Sequence, residues 1–148
     1  MDYLFSIHPQ HAAKLFSGEK KVELRRGRVQ LSVPSRIWIY VTTPSKQLAG
    51  IAHVQAVEHG SPRTIWARHS KKICISRDDF NDYVGSRSTV SAIIVQHVTQ
   101  FDTPVDLDRL REILPTFHPP QFYLNIHSKK GYTNILNREI GGAAFSFS

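Results

Sequence analysis

Turn-forming residues recur along the whole chain and divide it into short segments. Strong stops occur at Gly18, Val33-Pro34-Ser35, Thr42-Thr43-Pro44-Ser45, Gly60-Ser61-Pro62 and Pro119-Pro120. Between these stops, strand-like alternation of apolar and polar residues is interrupted by short runs with helical spacing. This organisation is typical of a barrel-like α+β domain of about six strands with three or four short peripheral helices, and not of a doubly wound sheet. No apolar run is long enough to span a bilayer.

The strands are predicted from β-branched and aromatic residues, and the helices from their start and stop residues. We expect strands at Tyr3–Ile7, Lys21–Arg25, Arg36–Val41, Leu48–Val57, Thr89–Phe101 and Phe122–Ile126. We expect helices to begin at or directly after Pro9, Ser61-Pro62, Ser76 and Asp106, where a proline or a capping side chain favours a first turn. Gly50 interrupts a strand, which predicts a bulge or a close approach of another group to the backbone.

Positive charge is concentrated in the first half of the chain. The 148 residues carry 19 Lys and Arg against 12 Asp and Glu, a net charge of +7. Residues 1–74 hold 12 basic and 4 acidic side chains, whereas residues 75–148 hold 7 basic and 8 acidic ones. Such an asymmetry favours a polyanionic partner such as nucleic acid. The alternative is a solvated basic surface that only keeps the protein in solution.

Several classes of protein are disfavoured. Cys74 is the one cysteine, which rules out a disulfide framework or a cysteine-rich zinc site and predicts a small apolar packing residue. His8 and His11 have a spacing that can suit a metal, but no third ligand follows at a recognisable distance, so we predict neither a metal nor a cofactor. The phosphate-binding patterns GxGxxG and GxxxxGK(S/T) are absent.

The first residues lack the features of a signal peptide, and we expect a cytoplasmic protein without membrane contact.

The densest group of charged residues lies where the first helix ends and the second strand begins. Lys20 sits at this corner. Glu23 and Arg25 share one face of the strand, while Val22 and Leu24 share the other. Lysine and arginine at such a site can bind a phosphate while the carboxylate accepts a hydrogen bond from a base amino group. The same groups can transfer protons if burial shifts a pKa toward neutrality. The simpler interpretation is an exposed strand with weak ion pairs.

The segment Gly18-x-Lys20-x-x-Glu23-x-Arg25 resembles the GxKxxExR signature of the ASCH domain superfamily. The resemblance continues in order over residues 3–127, at His8-Pro9, Ile39–Pro44, Gly60-Ser61-Pro62, Trp66, Ile75–Phe80 and His118–Gln121, within a bacterial and archaeal subgroup often labelled predicted transcriptional regulators. It implies a β-barrel related to the PUA domain over residues 1–127, with a cleft where the motif strand meets the preceding helix. Residues 128–148 lie beyond it, and we expect them to form a partly mobile C-terminal extension.

The resemblance and the charge together predict binding of RNA or a nucleotide, with DNA as an alternative, in RNA processing, translation or gene regulation. The residues expected to contact nucleic acid are His8, Lys20, Lys21, Arg25, Arg26, Arg28, Arg36, Tyr40, Thr42 and Thr43, and Lys14 extends the same positive patch. Tyr40 and Trp38 either stack on a base or belong to the core. Thr42 and Thr43 either bind a base or phosphate through their hydroxyls or are ordinary turn residues.

An enzyme is the main alternative, since some ASCH proteins resemble ribonucleases and others are amidohydrolases of acylated or modified nucleosides. Lys20, Glu23 and Arg25 are then the catalytic candidates; in a ribonuclease, Glu23 is the base and Lys20 or Arg25 stabilises a phosphorane. The amidohydrolases use a Thr–Lys–Glu arrangement with threonine as nucleophile. Lys20 occupies their lysine position, but Glu23 stands at their threonine position. A third hypothesis is a module that binds an acidic protein, and the oligomeric state is left open.

Overall fold

The segments rich in β-branched and aromatic residues form the six strands of one mixed sheet. In the computed structural model, residues 1–129 and 131–138 are described. The strands are β1 (Asp2–Ile7), β2 (Val22–Arg26), β3 (Ser35–Val41), β4 (Gln47–Gly60), β5 (Val90–Asp106) and β6 (Tyr123–Asn125). All six lie at the predicted positions. β4 and β5 extend beyond their predicted ends, because the two strands pair with each other from Gln47–Asp106 to Gly60–Val90.

Side-chain caps start three of the short helices, as the sequence predicts. The helices are α1 (Pro9–Ser17), α2 (Pro62–Ile73), α3 (Arg77–Val84), α4 (Leu107–Ile113) and α5 (Tyr132–Leu136). The side chains of Ser61, Ser76 and Asp106 accept hydrogen bonds from backbone amides at the starts of α2, α3 and α4, respectively. α5 lies within the predicted C-terminal extension and raises the number of described helices above the expected three or four. No helix in the described ranges is long and apolar enough to cross a membrane.

The order of strands places the motif strand at one edge of the sheet. The order is β2-β5-β4-β3-β1-β6, with β1 and β3 parallel and the other neighbours antiparallel. The sheet curls into a half-barrel, so its two outer strands approach each other. β2 is therefore at one edge and β6 at the other, although they are neighbours across the opening. We call the gap between these two edges the seam.

Three apolar clusters hold the helices on the sheet. The central strands β1 and β3 are buried on both faces: Phe5 and Ile39 belong to a cluster under α1, whereas Leu4 and Trp38 belong to one under α4 and α5. A third cluster packs α2 and α3 against β2. Because residues alternate along a strand, the side of β2 that faces the third cluster carries apolar side chains and its other side is free to carry charges.

Arg25 closes the seam by hydrogen bonding to backbone from the opposite edge. Its Nη2 atom donates to the carbonyl oxygen of Ser6 on β1 at 3.0 Å, and Nη1 reaches the carbonyl oxygen of Phe122 at 3.5 Å. The guanidinium also lies over the ring of Phe5, with Cζ 4.8 Å from the ring centroid. The same guanidinium pairs with Glu23 on its own strand. A single side chain on β2 thus contacts both β1 and the residue that precedes β6 across the seam.

Part of the predicted extension packs on the domain. Leu136 of α5 is buried in the cluster under α4, and Tyr132 and Ile135 pack against the same cluster. This helical turn therefore packs on the domain, within the segment for which the sequence predicts a partly mobile extension. Lys130 and residues 139–148 lie outside the described residues, so the boundary at residue 127 stays a prediction.

A close approach explains Gly50, as the strand interruption predicts. The pairing of β4 with β5 shifts register between Leu48 and Gly50. A Cβ atom at Gly50 would clash with the ring of Phe16 and with the carbonyl oxygen of Thr99. The glycine therefore lets α1 and the bulged pair of strands come together.

Replacing Gly50 by alanine should destabilise the fold, because the backbone oxygen of Thr99 cannot move away cheaply. We expect Gly50→Ala to lower the free energy of unfolding by about 1–3 kcal/mol in urea denaturation. Gly60→Ala is the matched control on the same strand, since a Cβ there meets its nearest atom, Cδ1 of Ile65, at an ordinary 3.5 Å. Equal effects of the two substitutions would contradict this account.

Removing the Arg25 side chain should open the seam. Arg25→Ala leaves the Glu23 carboxylate, whose side chain is 8% exposed, without its guanidinium partner. We expect a loss of about 3 kcal/mol in the free energy of unfolding, as for other broken buried pairs. Arg28→Ala, which removes an exposed arginine three residues later, should change stability by less than about 0.5 kcal/mol. Urea denaturation of both variants tests this, and a loss no larger for Arg25→Ala than for Arg28→Ala would refute it.

Candidate functional site

A cleft of about 560 Å³ lies at the seam, where β2 faces the start of α1 and the residues that precede β6. Its floor carries the motif side chains and its rim is formed by α3 and the segment at residues 121–122. The lining residues are Ser6, Ile7, His8, Gln10, His11, Lys14, Lys20, Glu23, Leu24, Arg25, Arg26, Ile75, Ser76, Asp79, Tyr83, Gln121 and Phe122. The cleft is therefore assembled from four separate parts of the chain.

Basic groups bind the carbonyl end of α2 and fix one wall of the cleft. Nζ of Lys20 donates to the carbonyl oxygen of Ile73 at 2.7 Å, and Nζ of Lys14 donates to that of Cys74 at 3.0 Å. The backbone amide of Lys21 donates to the carbonyl oxygen of Lys72 at 2.9 Å. These carbonyls have no partner within the helix and carry the negative end of its dipole, so ammonium groups stabilise them.

Glu23 lies between two cations. Its Oε1 atom is 3.7 Å from Nζ of Lys20, and its Oε2 atom is 3.0 Å from Nη2 of Arg25. Lys20 and Glu23 are 2% and 6% exposed, respectively, so this triad is part of the protein interior that borders the cleft. The predicted alternation is confirmed, because Val22 and Leu24 pack into the third apolar cluster on the other side of the strand.

Burial changes the proton affinity of Lys20. Loss of hydration lowers the pKa of the Lys20 ammonium below its usual 10.5, while the nearby carboxylate of Glu23 acts in the opposite direction. The hydrogen bond to Ile73 and the ion pair with Glu23 both favour the charged form. These two contacts hold the ammonium in place at the base of the cleft.

His11 of α1 and His8, which directly precedes this helix, both line the cleft. Nδ1 of His11 is buried and has no hydrogen-bond partner among the described residues. Burial, helped by the positive charge of Lys20 and opposed by Glu23, lowers the pKa of His11 below its usual 6.5. His8 is exposed, and its Nδ1 lies 3.3 Å from the hydroxyl of Thr42. Over the described ranges, no group of three or more His, Cys, Asp or Glu side chains is placed to hold a metal ion.

Aromatic side chains stand on the rim of the cleft. Phe122 is 54% exposed, although its backbone oxygen accepts hydrogen bonds from Ser6 and Arg25. Across the cleft, the guanidinium of Arg26 lies over the ring of Tyr83, with Cζ 4.7 Å from the ring centroid. An exposed ring on a fixed backbone is a surface on which a planar ligand can stack.

The structure brings some predicted site residues together and leaves others apart. His8, Lys20, Arg25 and Arg26 all line the cleft, and Thr42 touches it through His8. The exposed side chains of Lys21, Arg28 and Thr43 are not among the lining residues.

Tyr40 and Arg36 do not reach the cleft. Tyr40 is 2% exposed and packs in the second apolar cluster near Phe117, so its ring is a core residue and cannot stack on a base. The aromatic pattern could not show this, because β3 is buried on both faces. Arg36 forms an ion pair with Asp2 at 2.7 Å and lies over the Trp38 ring, which engages its guanidinium away from the motif.

Several cleft residues were not predicted from the sequence. The sequence suggests His11 only as a metal ligand and Lys14 only as part of a charged patch. The three-residue spacing of His8, His11 and Lys14 could have revealed them, because it places all three on one helical face. Phe122 and Tyr83 carry no such local signal, since their positions depend on the meeting of distant segments at the seam.

Comparisons with known proteins agree with the motif and the fold. The family model described as Domain of unknown function (DUF365) matches residues 2–114. An ASCH domain-containing ribonuclease from Zymomonas mobilis is 34% identical over 119 residues, which are 80% of this chain and 79% of that protein. The crystal structure of ASCH from Zymomonas mobilis matches with a TM-score of 0.84 and 30% identity, covering 93% of this chain and 94% of that one.

A ribosomal protein shares a related segment. Large ribosomal subunit protein uL22 from Ureaplasma parvum is 26% identical over 104 residues, which are 70% of this chain but 33% of that protein. The predicted ASCH-type α+β fold, a PUA-like β-barrel of about six strands, is confirmed, and the structure shows it as a curled half-barrel with the motif on an edge strand. The chain belongs to the ASCH domain family and to the family described as Domain of unknown function (DUF365).

Proposed function

We propose that this protein binds single-stranded RNA, or a nucleotide of it, in the cleft at the seam. The observation that carries the proposal is that one cleft has both positively charged groups at its base and an exposed aromatic ring, Phe122, on its rim. The first suits a phosphate and the second suits a base. Similarity to a protein named as a ribonuclease supports RNA over DNA.

The charge balance of the cleft favours an anion. Four basic side chains line it, Lys14, Lys20, Arg25 and Arg26, against the two carboxylates Glu23 and Asp79. Glu23 is already neutralised by its two neighbours. Arg26 is exposed, and its guanidinium, held over the Tyr83 ring, is accessible to a phosphate. The field of the buried cations is little screened, because salt does not reach them.

Phe122 supplies the element that distinguishes a nucleotide from a simple anion. Its backbone is held by Ser6 and Arg25, so stacking on the ring costs little ordering of the chain. Base stacking on an aromatic residue contributes about 1–3 kcal/mol. A base on Phe122 can place its own phosphate near Arg25 and Arg26.

Binding should depend on both salt and stacking. For about four phosphate contacts, affinity for a single-stranded oligonucleotide should fall roughly 50-fold between ~50 and ~200 mM salt. We expect Phe122→Ala to weaken binding by about 5- to 150-fold and Lys20→Ala to weaken it as well, measured by fluorescence anisotropy. The matched control is Val33→Ala, which removes another exposed apolar side chain from outside the cleft. Circular dichroism verifies that each variant is folded. Absence of RNA, DNA and nucleotide binding at low salt would eliminate the proposal.

RNA cleavage is a second candidate function, favoured by His11. We expected Glu23 to be the base of a ribonuclease, but both of its oxygens face cations. His11 is better suited, since its side chain lines the cleft and its lowered pKa keeps the imidazole neutral. It would take the proton of a ribose 2′-hydroxyl, whose oxygen attacks the adjacent phosphorus. The 5′-oxygen then leaves with a proton from solvent, and Arg26 and Lys20 balance the charge of the phosphorane.

A substitution at His11 separates cleavage from binding. His11→Gln should lower the rate of cleavage by at least about 100-fold while affinity stays within about twofold. The wild-type rate should fall only as the pH drops through the lowered pKa of His11, which lies below the usual 6.5, because the base is then protonated. His127→Gln, which changes an exposed histidine outside the cleft, is the control. A substrate with deoxyribose at the cleaved position should resist cleavage by the wild type and by His11→Gln alike, because it lacks the attacking hydroxyl. Unchanged cleavage by His11→Gln rejects this mechanism, and binding without turnover of any RNA rejects the enzyme.

A further inference from the structure

A second cavity adjoins the cleft and shares two residues with it. This cavity is shallow, measures about 650 Å³ and is lined by Arg26, Gly27, Asp82, Tyr83, Val84, Gly85, Ser86, Arg87, Ser88 and Thr89. Arg26 and Tyr83 line both spaces. We infer that the cleft and the second cavity form one continuous groove, which we call the track. The ligand of this track is an RNA strand of several nucleotides rather than a free nucleoside. The inference rests on the proposed function and extends it.

The junction between the two spaces is a fixed stack. The hydroxyl of Tyr83 donates to the backbone oxygen of Leu24 on β2 at 3.3 Å, which ties α3 to the motif strand. Arg26 follows on the same strand and lies across the Tyr83 ring. The guanidinium can therefore contact a phosphate that passes from one space to the other, while the ring beneath it keeps it in place.

The second cavity suits a sugar–phosphate backbone. Its loop, residues 85–89, presents the hydroxyls of Ser86, Ser88 and Thr89 and the guanidinium of Arg87, with Asp82 as the acidic group in the lining. Backbone hydrogen bonds hold both ends of this loop: the amide of Arg87 donates to Val84, and that of Gly27 donates to Thr89. Apart from Tyr83 at the junction, no aromatic residue lines it. Such a surface contacts phosphate and ribose without reading the base.

The two spaces therefore divide the recognition of a strand. The cleft offers Phe122 and the buried cations to one nucleotide, and the loop offers exposed donors to the nucleotides that follow. A strand on the order of four nucleotides fills both, at the lower end of the site sizes of small barrel folds. A mononucleotide occupies the cleft alone and gains nothing from the loop.

A length series tests the track. Uridine monophosphate and oligouridylates of two, four and eight nucleotides compete with a labelled RNA for the full chain. We expect affinity to rise up to about four nucleotides and then to level off. Arg87→Ala should weaken binding of the eight-nucleotide strand by about 3- to 10-fold and reduce its salt slope by about 0.7, with no effect on the monophosphate. Arg63→Ala, an exposed arginine outside both cavities, is the matched control.

The outcomes separate this inference from the proposed function. If the monophosphate binds as tightly as the longer strands, or if Arg87→Ala behaves like Arg63→Ala, the track is wrong and binding in the cleft stands. If no uridine ligand and no RNA binds the wild-type protein, the proposed function fails and the track falls with it. Weakening of the monophosphate by Arg87→Ala would also overturn the track, since it would place the loop within the cleft.

Discussion

One guanidinium joins the two edges of the curled sheet, and the cleft depends on it. Arg25 on β2 binds the backbone of Ser6 on β1 and of Phe122, just before the edge strand β6, while it pairs with Glu23. An arginine suits this place because its planar fork offers several donors in fixed directions. The motif residues therefore build the walls of the site as well as its charge. A loss of binding on mutation of Arg25 has to be separated from a loss of structure.

Lys14 and Lys20 likewise both stabilise the structure and supply positive charge to the cleft. Lys14 and Lys20 donate hydrogen bonds to the carbonyl oxygens at the end of α2. Through these bonds they position α2 and α3 against β2. Their charges remain beneath the cleft, since neutral carbonyl groups do not cancel a full positive charge. Stability and ligand attraction thus have a common electrostatic origin here, and the exposed residues of the rim are the better probes of function.

Local patterns in the sequence predicted the elements and failed at their meeting points. Alternation placed Val22 and Leu24 in the core and Glu23 and Arg25 opposite them, and Gly50 indicated the close approach of Phe16. The sequence could not show that Tyr40 is a core residue, because a strand that is buried on both faces has no polar side to distinguish exposed from buried positions. Phe122 was read as part of a strand, whereas it stands exposed just before one. Its role depends on contacts with residues nearly a hundred positions away, which no local pattern encodes.

The seam also has a consequence for the newly made chain. Arg25 and Phe122 are 97 residues apart, and Ser6 binds Pro120 from 114 residues away. A nascent polypeptide on the ribosome cannot complete either contact until nearly the whole domain has emerged. Until then the motif strand has a solvated arginine and the parallel pair β1–β3 has an unpaired outer edge, the kind of surface on which strands aggregate. We therefore expect the nascent chain to need chaperones mainly late in synthesis, until the segment with Pro120 and Phe122 has emerged.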